Sequence, residues 1–304
     1  MTQPANSATI PGGPPRTGLA SRLSHWTVLR VLAQAAAVVI TIIVMSRLLS
    51  LLVPPLTSPL HTYLAMARNL VVAGLLLGVY ALVVRWMEGR AASEIDLRTG
   101  APQLPIGALI GAGLMGVVYL ILWGMGRATF APGTGMDGLL VGLIAALLAA
   151  VFEELLLRAV LFRILEQAFG TAVALITSAA VFGLLHSFNP GATAFSDAAI
   201  AIEAGLMLAM AYALTRNLWL AIGLHAGWNF AEGSLFGAQV SGGKAPLSLI
   251  HSTLTGPQLL TGGAFGPEAS VVSIVVCGLT AAVFAVLVVR QGGWRPRTFH
   301  LTLA

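Results

Sequence analysis

The chain has 304 residues, of which 57% are hydrophobic and only 9% charged. A soluble domain carries roughly 25% charged residues, so this composition describes one integral membrane domain with no separate soluble unit. The net charge of +5 comes from arginines spread singly along the chain, which argues against a nucleic-acid partner, and the single cysteine, Cys277, leaves no disulfide framework or zinc knuckle within one chain.

Residues 1–25 are polar and rich in Pro, Gly and Ser, and read as a disordered tail without the apolar centre of a signal peptide. A membrane domain is expected over 26–290, followed by a second tail over 291–304. Within it several runs exceed the ~18 apolar residues that suggest a spanning helix. Eight helices are predicted, at about 26–53, 63–86, 104–126, 137–165, 171–188, 197–215, 218–236 and 270–289. Their boundaries fall at stretches such as "VPPLTSP", "APGTGMD" and "SFNPGA", and at a long Gly-rich loop over 237–269. Asp137 and Asp197 are read as helix N-caps. The expected fold class is all-α and polytopic.

Placing both termini in the cytoplasm puts eleven arginines on that side and only Arg127 and Lys244 on the other, with Arg47, Arg68 and Arg158 inside spans. That bias follows the positive-inside rule and predicts cytoplasmic ends, in what composition suggests is a bacterial inner membrane.

Ionisable residues inside spans are costly and are functional candidates by default. The fourth span, "LLAAVFEELLLRAVLF", holds Glu153, Glu154 and Arg158. Glu154 and Arg158 lie four apart on one face and are expected to pair. Glu153 points about 100° away. Its face carries Gly142, Ala146, Ala149 and Ala150, a lane that either admits another helix or leaves a cavity beside the carboxylate.

The fifth span ends with Phe182 one turn before His186, and the seventh carries His225 and Asn229 one turn apart. Taken singly, each reads as well as a packing or interhelical hydrogen-bonding residue. At ~1.5 Å per residue, Glu153, His186, His225 and Asn229 fall at roughly 12–22 Å from the cytoplasmic ends of their helices, within one slab. A carboxylate with two imidazoles can activate a water, and an imidazole with an amide can stabilise an oxyanion.

Three motifs in order, "EELLLR" from Glu153, "FGLLH" from Phe182 and "HAGWN" from His225, resemble the CPBP family, which takes in type II CAAX prenyl endopeptidases and bacteriocin-processing or immunity proteins. The loop "TGPQLLTGGAFGPEAS" has a looser likeness to the same family. The resemblance implies an eight-helix intramembrane endopeptidase acting on a membrane peptide or a lipidated, CAAX-type protein in the bilayer. It implies that Glu153 is the general base, that His186 helps hold or deprotonate the water, and that His225 and Asn229 stabilise the oxyanion. Glu154 and Arg158 would then brace the site, and Phe182 would form a cavity wall.

The resemblance favours a glutamate-type reaction without metal or other cofactor; a zinc-dependent version, with Glu and two His as ligands, is the alternative. No H-E-x-x-H spacing is present. A non-hydrolytic immunity or scaffold protein and a proton-coupled transporter are the other functional alternatives. Glu203 and Glu232 are read as buried hydrogen-bonded residues or as part of the substrate path, while His61, His251 and His300 carry no assignment.

Overall fold

The computed structural model of the chain describes residues 26–51, 59–244 and 247–296. The tail expected over 1–25 and residues 297–304 of the second tail, with Arg16, Arg22, Arg297 and His300, lie outside the described residues.

Among the described residues, eight longer helical passages occur in the predicted order. They are α1 (Thr27–Leu51), α2 (Pro59–Glu88), α3 (Gln103–Gly124), α4 (Leu139–Phe169), α5 (Thr171–His186), α6 (Ala194–Thr215), α7 (218–235) and α8 (Val271–Arg290). Six of the described helices are long and apolar enough to cross a membrane. α5 is apolar but has only 16 residues, about 24 Å of rise. α7 is buried on all sides from Leu218 to Trp228, as expected of a helix enclosed by others.

The turns follow from local chemistry. Gly170, at φ 82°, joins α4 to α5 with no intervening loop, a conformation that glycine adopts without strain. Asn217 caps α7, its side chain accepting the Trp219 N–H at 3.0 Å. The α6 cap is Thr193, in a capping box with Ser196. Asp197, predicted for that position, instead accepts a hydrogen bond from the Ser187 hydroxyl at 2.6 Å. Likewise Gly138, and not Asp137, occupies the cap position before α4.

Glycine sets how closely α7 approaches α3. A Cβ on Gly107 would fall 2.4 Å from the Leu220 carbonyl oxygen, and one on Gly111 would fall 2.0 Å from that of Leu224. Gly223 and Gly227 answer from α7, against the backbones of Leu104 and Ala108. Without a hydrophobic driving force between helices in lipid, such close backbone packing is a main source of association.

The two ends of the bundle differ. At one end Glu88 accepts from Arg30, Arg90 and Arg163, and Arg90 also pairs with Glu94. Nearby, Glu166 pairs with Arg216 and Arg295. At the other end two short strands, β1 (Ala128–Pro132) and β2 (Ile250–Leu254), form an antiparallel ribbon, with Ala128 opposite Leu254. Beside it the 237–269 loop folds back, the Gly242 N–H donating to the Phe265 carbonyl at 2.7 Å.

Candidate active site

α4, α5 and α7 bring the three sequence motifs together. The α-helical part of α4 ends at Glu154, and residues Leu155–Phe162 continue as a π-helix. Two further π segments, Ala201–Leu206 and Ala231–Leu235, carry Glu203 and Glu232. The extra residue per turn leaves main-chain groups irregularly spaced, and such segments recur at functional sites.

The predicted Glu154–Arg158 pair is present and fully enclosed. Arg158 Nη1 donates to Glu154 Oε1 at 3.1 Å. Its Nη2 reaches across to α6, donating to the carbonyls of Ala204 at 2.5 Å and Gly205 at 3.3 Å. The guanidinium also lies over the Phe182 ring, 4.7 Å from its centre, a cation–π contact that gains strength away from water.

Glu154 has a second partner that the sequence pattern did not disclose. Its Oε1 accepts from His225 Nδ1 at 2.9 Å. With the proton on Nδ1, the other ring nitrogen of His225 faces Glu153, whose Oε2 is 3.9 Å away. Glu153 is the partly open carboxylate of the two, 26% exposed against 0% for Glu154. Its Oε2 has no hydrogen-bond partner within the chain. A gap of 3.9 Å is too long for a direct bond, yet a single water about 2.8 Å from each atom would bridge it.

His186 is oriented by its own helix. Its Nδ1 lies 2.9 Å from the Phe182 carbonyl. A carbonyl only accepts, so this nitrogen carries the proton and Nε2 is left with its lone pair. The Phe182 ring stacks on the His186 ring at 4.9 Å and meets His225 edge-on at 6.3 Å. Phe182 is thus wall and brace for both imidazoles.

A small cavity runs beside these groups, lined by His186, His225 and Asn229 together with Glu203, Ser241, Glu268 and Cys277. Glu153 is not among its lining residues and reaches it by way of His225. The small-residue lane on the Glu153 face is partly filled: Gly142 packs on Ser234 of α7, and Ala146 and Ala150 are buried. Of the two alternatives for that lane, helix approach is the one realised there.

Two features were missed by motif reading. The first is the paired G-x-x-x-G spacing of Gly107 with Gly111 and of Gly223 with Gly227, a signal open to inspection in the sequence. The second is Glu268, within the looser "FGPEAS" likeness. Its Oε1 accepts the Ser241 N–H at 2.5 Å, and its own N–H donates to Glu232 at 3.2 Å. Burial raises the Glu268 carboxyl above its ordinary range. Glu203 Oε2 and Glu232 Oε2 have no partner in the chain, so the cavity is backed by three carboxyl groups.

Among the described residues no three His, Cys, Asp or Glu side chains converge as metal ligands would.

Comparison with curated proteins and with solved structures gives no match. A family model does match: that of the type II CAAX prenyl endopeptidase Rce1-like family, over residues 135–231, the interval that contains all three motifs. The match covers about a third of the chain and is consistent with the CPBP resemblance of the three motifs.

Proposed function

We propose that the chain is an intramembrane endopeptidase that hydrolyses peptide bonds in membrane-associated substrates, with Glu153 as the general base. The observation that carries this reading is the chain of contacts from Glu154 through His225 to Glu153. A buried carboxylate fixes one imidazole nitrogen and so aims the other at a second, accessible carboxylate. This is the logic by which an acid orients a catalytic histidine in hydrolases generally.

In the proposed reaction Glu153 takes a proton from the bridging water as its oxygen attacks the scissile carbonyl. His186 Nε2, left as an acceptor, holds the same water. The oxyanion then receives hydrogen bonds from the Asn229 amide and from Nε2 of His225, which carries a proton on both ring nitrogens throughout and whose charge Glu154 balances at Nδ1. The proton held by Glu153 passes to the leaving amine, and both carboxylates return to their starting state. Arg158 and Phe182 hold the frame and touch no reacting atom. The reaction is written without metal or other cofactor, the form that the resemblance to the CPBP family favours.

The family name implies CAAX-type, prenylated substrates, and a lipidated or otherwise membrane-held peptide fits a site enclosed by helices. We also propose that both termini are cytoplasmic, on the strength of the arginine bias, in a bacterial inner membrane. The test is peptidase assay of purified protein on lipid-anchored fluorogenic peptides, with wild type and alanine variants at Glu153, His186, His225 and Asn229. Each variant is expected to lose at least ~100-fold in turnover, the usual scale for a base or an oxyanion donor. Phe182→Leu should lose much less. Full activity in Glu153→Ala would overturn the assignment, and inactivity of the wild type on every membrane peptide would favour the scaffold or transporter alternatives.

A further inference from the structure

We infer that the candidate active site is entered from the loop face of the bundle, and that its substrates are therefore membrane-held peptides presented on the non-cytoplasmic side. The inference rests on the peptidase reading and on the proposed orientation. It departs from the cytoplasmic CAAX tails that the family name suggests and keeps the wider class of membrane-held peptides.

Position is the first ground. His186 is the last residue of α5, so it lies at the end of that helix away from Thr171. Ser241 and Glu268, which line the same cavity, belong to the 237–269 loop. That loop is fastened to its neighbours on the same face, where a Cβ on Gly242 would fall 1.8 Å from the Pro190 carbonyl oxygen.

Packing is the second. On the opposite side of the site the helices close on one another. Val160 and Phe162 of α4, Ala211 and Ala213 of α6, and Leu218 and Ile222 of α7 are 0–2% exposed. Protein interiors packed in this way leave few voids larger than a water molecule. The polar side chains buried there are engaged, Arg158 by α6 carbonyls and Arg163 by Glu88 and Gln34. By contrast Glu153, His186 and Asn229 are only half-buried. Hydrolysis consumes one water per bond, and the cavity that could supply it lies in this half of the bundle.

Charge supplies the sidedness. The closed end carries Arg30, Arg85, Arg90, Arg163, Arg216 and Arg295. The loop face has Arg127 and Lys244, with Arg47 and Arg68 in the adjoining ends of α1 and α2. The more basic end faces the cytoplasm by the positive-inside rule, which turns the site outward. A tail held in the cytoplasmic leaflet would have to cross the packed half to reach Glu153.

Thiol accessibility tests this without relying on turnover. Cys277 is replaced by Ala and a single cysteine is introduced at Ser241, in the cavity wall, or at Ser93, an exposed residue at the basic end. A small charged methanethiosulfonate that does not cross membranes is applied to intact cells and to sealed inverted vesicles. Ser241→Cys should label in intact cells and lose labelling in inverted vesicles, with Ser93→Cys showing the reverse. Should Ser241→Cys accumulate poorly, Ile200→Cys, also in the cavity wall, takes its place. Labelling of the cavity cysteine from the same side as Ser93→Cys, or no labelling until the protein is unfolded, overturns entry from the loop face. Labelling of Ser93→Cys in intact cells overturns the outward orientation and returns the substrate to the cytoplasm. Because the readout is access, either result stands apart from whether Glu153→Ala abolishes cleavage.

Discussion

Glu154 and His225 are joined by a 2.9 Å hydrogen bond between α4 and α7, and the same carboxylate oxygen accepts from Arg158 at 3.1 Å. One oxygen thereby ties the imidazole to the helix that carries Glu153 and fixes which ring nitrogen faces it. The buried pair is more than a brace, since it fixes the orientation of the histidine beside the proposed base.

This relationship predicts the outcome of Glu154→Gln. The amide oxygen can keep both donors, with its NH₂ in place of the unpartnered Oε2, but the negative charge beside His225 is lost. The charged form of His225, which donates from Nε2 to the oxyanion, then lacks its balancing carboxylate. Turnover should fall by ~100-fold or more, the scale seen when an orienting carboxylate becomes an amide. The amount of folded protein should change little. A thermal melt beside the peptidase assay reads both, and unchanged turnover would mean that the Glu154 charge does not support the catalytic imidazole.

Arg158→Ala should behave in the opposite way. It strands the Glu154 carboxylate in a site with no exposure and removes the bridge to the Ala204 and Gly205 carbonyls. Breaking a buried pair by removing one partner costs about 3–5 kcal/mol, so folded protein in the membrane should drop sharply. Glu153→Gln should keep amount and melting temperature near wild type while abolishing turnover, because Glu153 Oε2 has no partner in the chain to lose. Equal destabilisation of the two variants would refute this division of roles.

Much of this arrangement is legible in the sequence because charge inside an apolar run is rare and its spacing is informative. Glu154 and Arg158 four apart give the pair, and the order of the three motifs gives the helices that converge. The sequence does not show that Glu154 serves His225, since that contact spans 71 positions and depends on how α4 and α7 pack. Nor does helical periodicity foresee the π segments around Arg158, Glu203 and Glu232, because a single extra residue per turn leaves the apolar pattern intact. The α6 cap was misassigned to Asp197 for a simpler reason. Threonine is a preferred cap too, though a weaker one than aspartate, and Thr193 gains from the reciprocal box it forms with Ser196 four residues earlier.

The glycine contact between α3 and α7 yields a matched pair of variants. Gly111→Ala places a methyl 2.0 Å from the Leu224 carbonyl oxygen, so the helices must separate. Overpacking of this kind costs typically 1–3 kcal/mol, and α7 carries His225, so turnover should fall along with stability. Gly113→Ala on the same helix meets nothing within 4 Å. It should be neutral or slightly stabilising, since alanine in a helix interior is favoured over glycine by roughly 0.5–1 kcal/mol. Equal effects of the two substitutions in a thermal melt would show that the contact does not set the helix spacing.

Glu268 predicts a pH dependence of stability. Burial raises its carboxyl above the ordinary value of 4.5, with Glu203, Glu232 and His186 as the titratable groups around it. A raised folded-state value means that the protonated form is the one the fold favours. The contribution is therefore complete below about 4.5 and is lost as pH rises through the folded value. Melting temperature should decline over that rise, and Glu268→Gln, which keeps an uncharged acceptor for the Ser241 N–H, should flatten the decline. A steeper decline in Glu268→Gln would reverse the sign and remove Glu268 as its source.

Chelation separates the two forms of the proposed chemistry. If Glu153 and His186 hold the attacking water directly, purified enzyme treated with a strong chelator and freed of it by gel filtration should keep its turnover. Added Zn²⁺ should then do nothing or inhibit, by occupying imidazole lone pairs. Were the water zinc-bound instead, the metal would draw on Nε2 of His186 and His225 with a carboxylate, and its removal would abolish activity. The thermal melt adds a readout independent of turnover, because a ligand that binds only the folded state raises the melting temperature by mass action. Loss of both activity and melting temperature on chelation, with recovery of both on adding Zn²⁺, would make these residues ligands and displace Glu153 from its role as the sole activator of water. Retention of both would leave the proton transfer with Glu153.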